Sequence, residues 1–254
     1  MIDLSSYHPA PDLLAGRVIL VTGASSGLGR IAARALADHG ATVILHGRHT
    51  ARLEAAYDEM TQAQLPEPII LPLDFAHANS RDFEAAEHAI RANTGRLDGI
   101  VHSASHFAGL SELQYETLEH WLLTLRVNLA AVHALNRACL PLLRASPDAC
   151  VLLTGETHGL CPAAFWGGFA VANGALQAYL AIQAQEWERL PNLRINMLVP
   201  GKVDSPQRAK THPGEAPSSR RSPQTLRPYY LYLLGPDSAA VRGRIVLAEE
   251  GRLV

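Results

Sequence analysis

Along the chain, short apolar runs rich in β-branched residues alternate with longer segments whose apolar positions recur every three to four residues. The short runs are RVILVT from Arg17, ATVILH from Ala41, PIILPL from Pro68, DGIVHS from Asp98, ACVLLT from Ala149, RINMLV from Arg194 and GRIVLA from Gly243. They read as strands and the segments between them as helices. Among the latter, IAARALADHG closes on Gly40 as a helix stop, and YETLEHWLLTLRVNLAAVHALNRACLPLL is long enough for one extended helix. The alternation predicts βαβ units and a doubly wound α/β domain with seven parallel strands flanked by helices.

One segment breaks the rhythm. KVDSPQRAKTHPGEAPSSRRSPQ, residues 202–224, is rich in Pro, Ser and charge and poor in apolar anchors, so it is expected as a long loop. Placed after the sixth strand, it would close as a lid over the carboxyl ends of the strands, where open α/β sheets bind ligands. A solvated surface loop is the plainer alternative. With this exception the 254 residues read as one domain, 1–254, near the size limit of a single core.

Composition narrows the partners. A net charge of −2 without a Lys/Arg stripe gives no footing to nucleic acid or an anionic membrane surface. The N-terminus lacks the basic-then-apolar order of an export signal and no apolar stretch is long enough to span a bilayer, so a cytoplasmic location is expected. Cys139, Cys150 and Cys161 show no CxxC spacing. They are expected as buried free thiols, with neither a disulfide framework nor a metal site.

The chemistry begins directly after the first strand, at TGASSGLGR. Gly23, Gly27 and Gly29 allow a tight turn and a close backbone approach, while the helix that starts there offers free N–H groups and a partial positive charge. Such a cradle suits a pyrophosphate, with Ser25, Ser26 and Leu28 completing it. A purely structural turn is the alternative.

The spacing TGxxxGxG resembles that of the short-chain dehydrogenase/reductase family. Asp74 with Phe75 after the third strand looks like its adenine-contacting pair, Asn128 in LRVNL like its active-site Asn, and Pro200-Gly201-Lys202-Val203 like the motif after its sixth strand. Within the family, DLLAGRVILVTGASSGLGR, RLDGIVH and SPQTLRPYYLYLLGPDSAAVRG most resemble a bacterial YciK-like subgroup whose members are named as oxoacyl-carrier-protein reductases. The resemblance spans almost the whole chain and implies a Rossmann-type fold, a nicotinamide cofactor and oxidoreductase ancestry. It also implies a dimer or tetramer formed through the long helices after strands four and five. The turn Ser103-Ala104-Ser105 departs from the family's NAG at a cofactor-contacting position.

Cofactor choice is read at the end of strand two. His46-Gly47-Arg48 contains no acid to accept from an adenosine ribose, and Arg48 can fork onto a 2′-phosphate, so NADP is expected over NAD. A solvated surface Arg is the alternative.

What the family uses for carbonyl reduction is replaced. Its proton-donating Tyr falls on Phe169, the Lys four residues on falls on Asn173, and the Ser thirteen residues earlier falls on Glu156. Phe169 has no ionisable proton and Asn173 no charge, so the resemblance implies a lost relay and a weaker grip on the nicotinamide ribose. An active NADP(H)-dependent reductase of carbonyl or acyl-thioester substrates, using other residues, is the second reading. His102, His106, Glu156 and His158, at the ends of strands four and five, are expected to converge on one crevice and are the candidates for such chemistry. Tyr179 is about 15 Å along the helix from Phe169 and cannot stand in for it.

Overall fold

The computed structural model describes Leu4 and residues 7–254; part of the N-terminal stretch read above for an export signal lies outside the described residues. β1 (Val18–Thr22) runs through the glycine turn into α1 (Gly27–Ala37), followed by β2 (Thr42–Gly47), α2 (Thr50–Gln62), β3 (Ile69–Pro72) and α3 (Ser80–Thr94). β4 (Gly99–His102) precedes α4 (Leu118–Leu125), a π turn over Arg126–Ala130 and α5 (Ala131–Ala145). Then come β5 (Ala149–Thr154), α6 (Thr157–Leu160), α7 (Gly167–Glu186) and β6 (Leu193–Val199), and after them α8 (Pro206–Thr211), α9 (Arg227–Leu234), β7 (Ile245–Leu247) and β8 (Arg252–Leu253).

The strands form one sheet in the order β3-β2-β1-β4-β5-β6-β7-β8, with the chain reversing direction across the sheet beside β1. β1–β7 are the seven parallel strands expected. The count is corrected to eight by β8, antiparallel to β7. With two residues, one of them Arg252, β8 has no apolar run for a pattern to register.

Alternation along each strand divides the core into two layers. Ile19, Val21, Val43 and Leu45 pack with α1 and α9, whereas Val18, Leu20, Ile44 and Ile100 pack with residues of α3, α5 and α7. Both faces are covered, which is why the strands read as continuous apolar runs. The amino ends of the strands are held by charge instead. Buried Asp98 accepts from the Val18 N–H (2.8 Å) and Ser146 Oγ (2.6 Å), and Asp148 pairs with Arg17 (2.7 Å) and with buried Arg194. The carboxyl ends are left for a crevice.

The extended helix expected after β4 is present, running without a break through α4, the π turn and α5, with Asn128 buried in the π turn. One expectation needs correction here. Residues 202–224 are not a featureless loop. Ser205 caps α8 by accepting from the Arg208 N–H at 3.0 Å, and Pro206 sits in its first turn. Arg208 and Arg220 converge on Glu215 at 2.8 and 3.3 Å, and the Arg221 and Asp204 backbones pair across the base of the segment. Ion pairs and backbone pairing supply the order that a search for apolar periodicity does not see.

Candidate functional site

At the carboxyl ends of β1, β2, β4 and β5 lies a crevice of about 420 Å³. Its floor is the glycine turn. Gly23 has φ +67°, and a Cβ there would lie 3.0 Å from the Ala104 backbone. A Cβ on Gly29 would come within 2.4 Å of the Gly23 carbonyl oxygen, so α1 can close on β1 only through glycine. Ser25, Ser26, Gly27 and Leu28 line the crevice, and the first turn of α1 carries no acidic side chain, leaving its N–H groups free for an anion. Thr22, which the sequence did not single out, ties the parts together: its Oγ1 accepts from the N–H groups of Ser103 and Ala104, both at 3.0 Å. The Ser-Ala turn therefore keeps its place against the cradle although its letters differ from the family's.

Toward β2 and β3 the crevice meets Arg48, Arg52 and Asp74. Arg48 is exposed, and neither arginine makes an ion pair among the described residues. Asp74 Oδ1 accepts from the Ala76 N–H at 3.0 Å. Phe75 is buried and stacks on His46, ring centroids 4.3 Å apart. His46 is 2% exposed, and neither ring nitrogen has a hydrogen-bond partner among the described residues. Burial, aided by nearby His102, pushes its pKa down to about 3. The side chain is thus a neutral wall residue.

Toward β5 and β6 stand Asn128, Glu156, Phe169, Asn173, Pro200, Gly201 and Val203. Asn128 clamps the loop after β4, accepting from the His106 N–H at 2.7 Å and donating to its carbonyl at 2.8 Å. Glu156 Oε1 accepts from the Thr157 N–H at 2.9 Å, and burial raises its carboxyl pKa. Phe169 lies edge-on to Phe107 (5.2 Å) beside Trp166, closing an apolar corner. Asn173 Nδ2 donates to the Phe169 carbonyl at 2.9 Å, so this side chain is folded back on its own helix.

The four residues expected to converge do so only in part. His102, His106 and Glu156 line the crevice, but His158 turns away onto Trp166 (3.9 Å), which also meets His212 at 5.2 Å. His102 is spent structurally, with Nε2 2.8 Å from Asn136 Oδ1. Asn136 in turn donates to Tyr179 Oη at 3.1 Å, which fixes His102 as the Nε2–H tautomer. No cluster of three His, Cys, Asp or Glu side chains suited to a metal occurs among the described residues. Cys139 and Cys150 are buried as expected; Cys161, just past the four-residue α6, is exposed, a correction that follows from its position in a surface turn. No helix of the described residues is long and apolar enough to cross a membrane.

Known proteins share this arrangement. The family model described as short chain dehydrogenase matches residues 17–216. The uncharacterized oxidoreductase YciK of Escherichia coli K12 is 33% identical over 97% of both chains. A short chain dehydrogenase from Pseudomonas syringae superposes with a TM-score of 0.93 at 37% identity, covering 95% of this chain and 98% of its own. Another, from Escherichia coli CFT073 and solved in complex with NADPH, gives 0.91 at 33%, covering 95% of this chain and 100% of its own. With the glycine cradle, the strand order and the match all running through the same residues, this chain belongs to the short chain dehydrogenase family.

Proposed function

We propose that the protein binds NADP(H) and has lost the family's route of carbonyl reduction, acting as a non-catalytic or impaired homologue. The observation that carries this is the corner made by Phe169 and Asn173. A ring with no ionisable proton lines the crevice where the phenol would stand, and the amide that replaces the lysine is bonded to its own helix. A bound nicotinamide would supply only hydride chemistry, and the proton would have to come from this chain. One observation favours a second reading: Glu156, its carboxyl pKa raised by burial, lines the same crevice and could serve as an acid in an active NADP(H)-dependent oxidoreductase.

NADP rather than NAD is supported by Arg48 and Arg52, by the lack of an acid at the end of β2, and by Ser25, whose Oγ lies 3.6 Å from where a Cβ on Gly47 would sit. The NADPH complex of the Escherichia coli relative points the same way. NADPH is expected to bind more tightly than NADH. Replacing Arg48 with Ala should narrow the gap by roughly tenfold or more, the value of one charge-assisted hydrogen bond. Cofactor fluorescence titrations read both quantities, and equal wild-type affinities would sink the assignment.

Residues 202–224 are proposed as the lid. Pro206 lies 3.5 Å from where a Cβ on Gly27 would stand, so α8 sits over the cradle, while His212 rests on the Trp166 shelf. In limited proteolysis the first cut is expected here, with protection by NADPH. Initial cleavage elsewhere would make the lid untenable. The proposed homo-oligomer, dimer or tetramer, is supported by the exposed side chains of Leu118 and Leu122 on α4 and of Val171 and Ile182 on α7.

A further inference from the structure

The two halves of the crevice differ in charge. The cradle lies at the end of β1 in mid-sheet, with Arg48 and Arg52 on the β2 side and Glu156 and Asn173 on the β5 side. A dinucleotide laid across the cradle with its adenosine ribose over β2 places its nicotinamide half toward β4 and β5. On that side Glu156 lines the crevice and Asn173 contributes no charge. Arg208, which lines the crevice with Lys210, acts on Glu156 from α8, its guanidinium held at 2.8 and 2.9 Å by Glu215, a carboxylate it shares with Arg220. His158, also beside Glu156, is stacked on Trp166. Where Ser and Lys would present one positive charge, Glu156, once ionised, and Asn173 present one negative charge.

The oxidised nicotinamide ring is cationic and the reduced ring is neutral. We propose that this protein discriminates the redox state of its cofactor, Glu156 favouring NADP⁺ over NADPH. The inference rests on the NADP(H) reading above. A carboxylate and a cation a few ångströms apart in a partly buried crevice attract strongly enough to favour the oxidised form by about tenfold or more. A tenfold preference lowers the potential of the bound two-electron couple by about 30 mV. Such a binder reports how oxidised the cofactor pool is, a use that needs no proton relay.

The test is calorimetric titration of wild type, Glu156→Gln and Asn173→Lys with NADP⁺, NADPH and 2′,5′-ADP, a fragment without nicotinamide, at pH 8 and fixed ionic strength. The expected ratio Kd(NADPH)/Kd(NADP⁺) is about ten or more for wild type and falls about tenfold in each variant. Affinity for 2′,5′-ADP is expected to stay unchanged, which locates the effect at the nicotinamide end. Because the ratio cancels any general gain or loss of grip, Asn173→Lys remains informative if Glu156→Gln folds poorly. A wild-type ratio of one or below, or a ratio untouched by both substitutions, overturns the redox preference and leaves the NADP(H) reading standing. Failure of all three ligands to bind overturns both.

Discussion

Wild-type protein supplied with NADPH and an activated ketone is expected to consume no cofactor, whereas the triple variant Glu156→Ser, Phe169→Tyr, Asn173→Lys is expected to turn over. General acid catalysis contributes about 10² to 10⁴ in rate, which sets the scale of the gain. The geometry permits the change. Phe169 already lines the crevice, and position 173 lies one helical turn further along the same helix. Single changes should do little. Tyr at 169 alone keeps a pKa near 10 without a neighbouring cation, and Glu156 would push it higher. Residues that act as one unit are strongly non-additive, so only the combination is a fair test. The measurement is NADPH oxidation at equal folded concentration. Robust wild-type turnover that Glu156→Gln abolishes would establish the second reading in place of the first.

Acid is expected to destabilise the protein well above the carboxylate range. His46 and His102 are almost fully buried, and burial lowers their pKa values from 6.5 to about 3 and about 4. Below pH 6.5 the unfolded chain binds protons at both positions while the folded chain does not. The stability they contribute is therefore complete above pH 6.5 and is lost as pH falls toward 4. The slope is about 1.4 kcal/mol per pH unit for each histidine, large against a folding free energy of about 5–15 kcal/mol. Asp98 and Asp148, with lowered pKa values, act below the unfolded carboxylate range and leave the window from 6.5 to 4.5 to the imidazoles. Glu156, with its pKa raised, opposes them there and offsets part of the slope. Urea unfolding at pH 7 and pH 5 should show the loss. His46→Leu should reduce it and raise stability at pH 7, since two unpartnered buried nitrogens leave with the ring. An identical pH slope in the variant would rule out His46 as a source.

Much of the fold was legible because its signals are local. Apolar runs marked β1–β7, and the spacing of Gly23, Gly27 and Gly29 between strand and helix marked the cradle. The order within segment 202–224 was not legible because Arg208, Arg220 and Glu215 supply it through ion pairs, and the partners of a pair carry no periodicity. His158 was misplaced for a related reason: strand-end position brings a residue to the rim, but competition between the crevice and Trp166 decides where its ring goes.

By itself, the sequence determined the alternation of strands and helices, the phosphate cradle and the absence of a phenol and an amine at positions 169 and 173, since each depends on residue identity at short range. Only the tertiary structure decided that Thr22 holds the Ser103-Ala104 turn, that Asn128 clamps His106, that Asn173 turns back on its helix, and that burial raises the pKa of Glu156. Those facts depend on which groups meet across long stretches of chain, and on how far water is excluded where they meet.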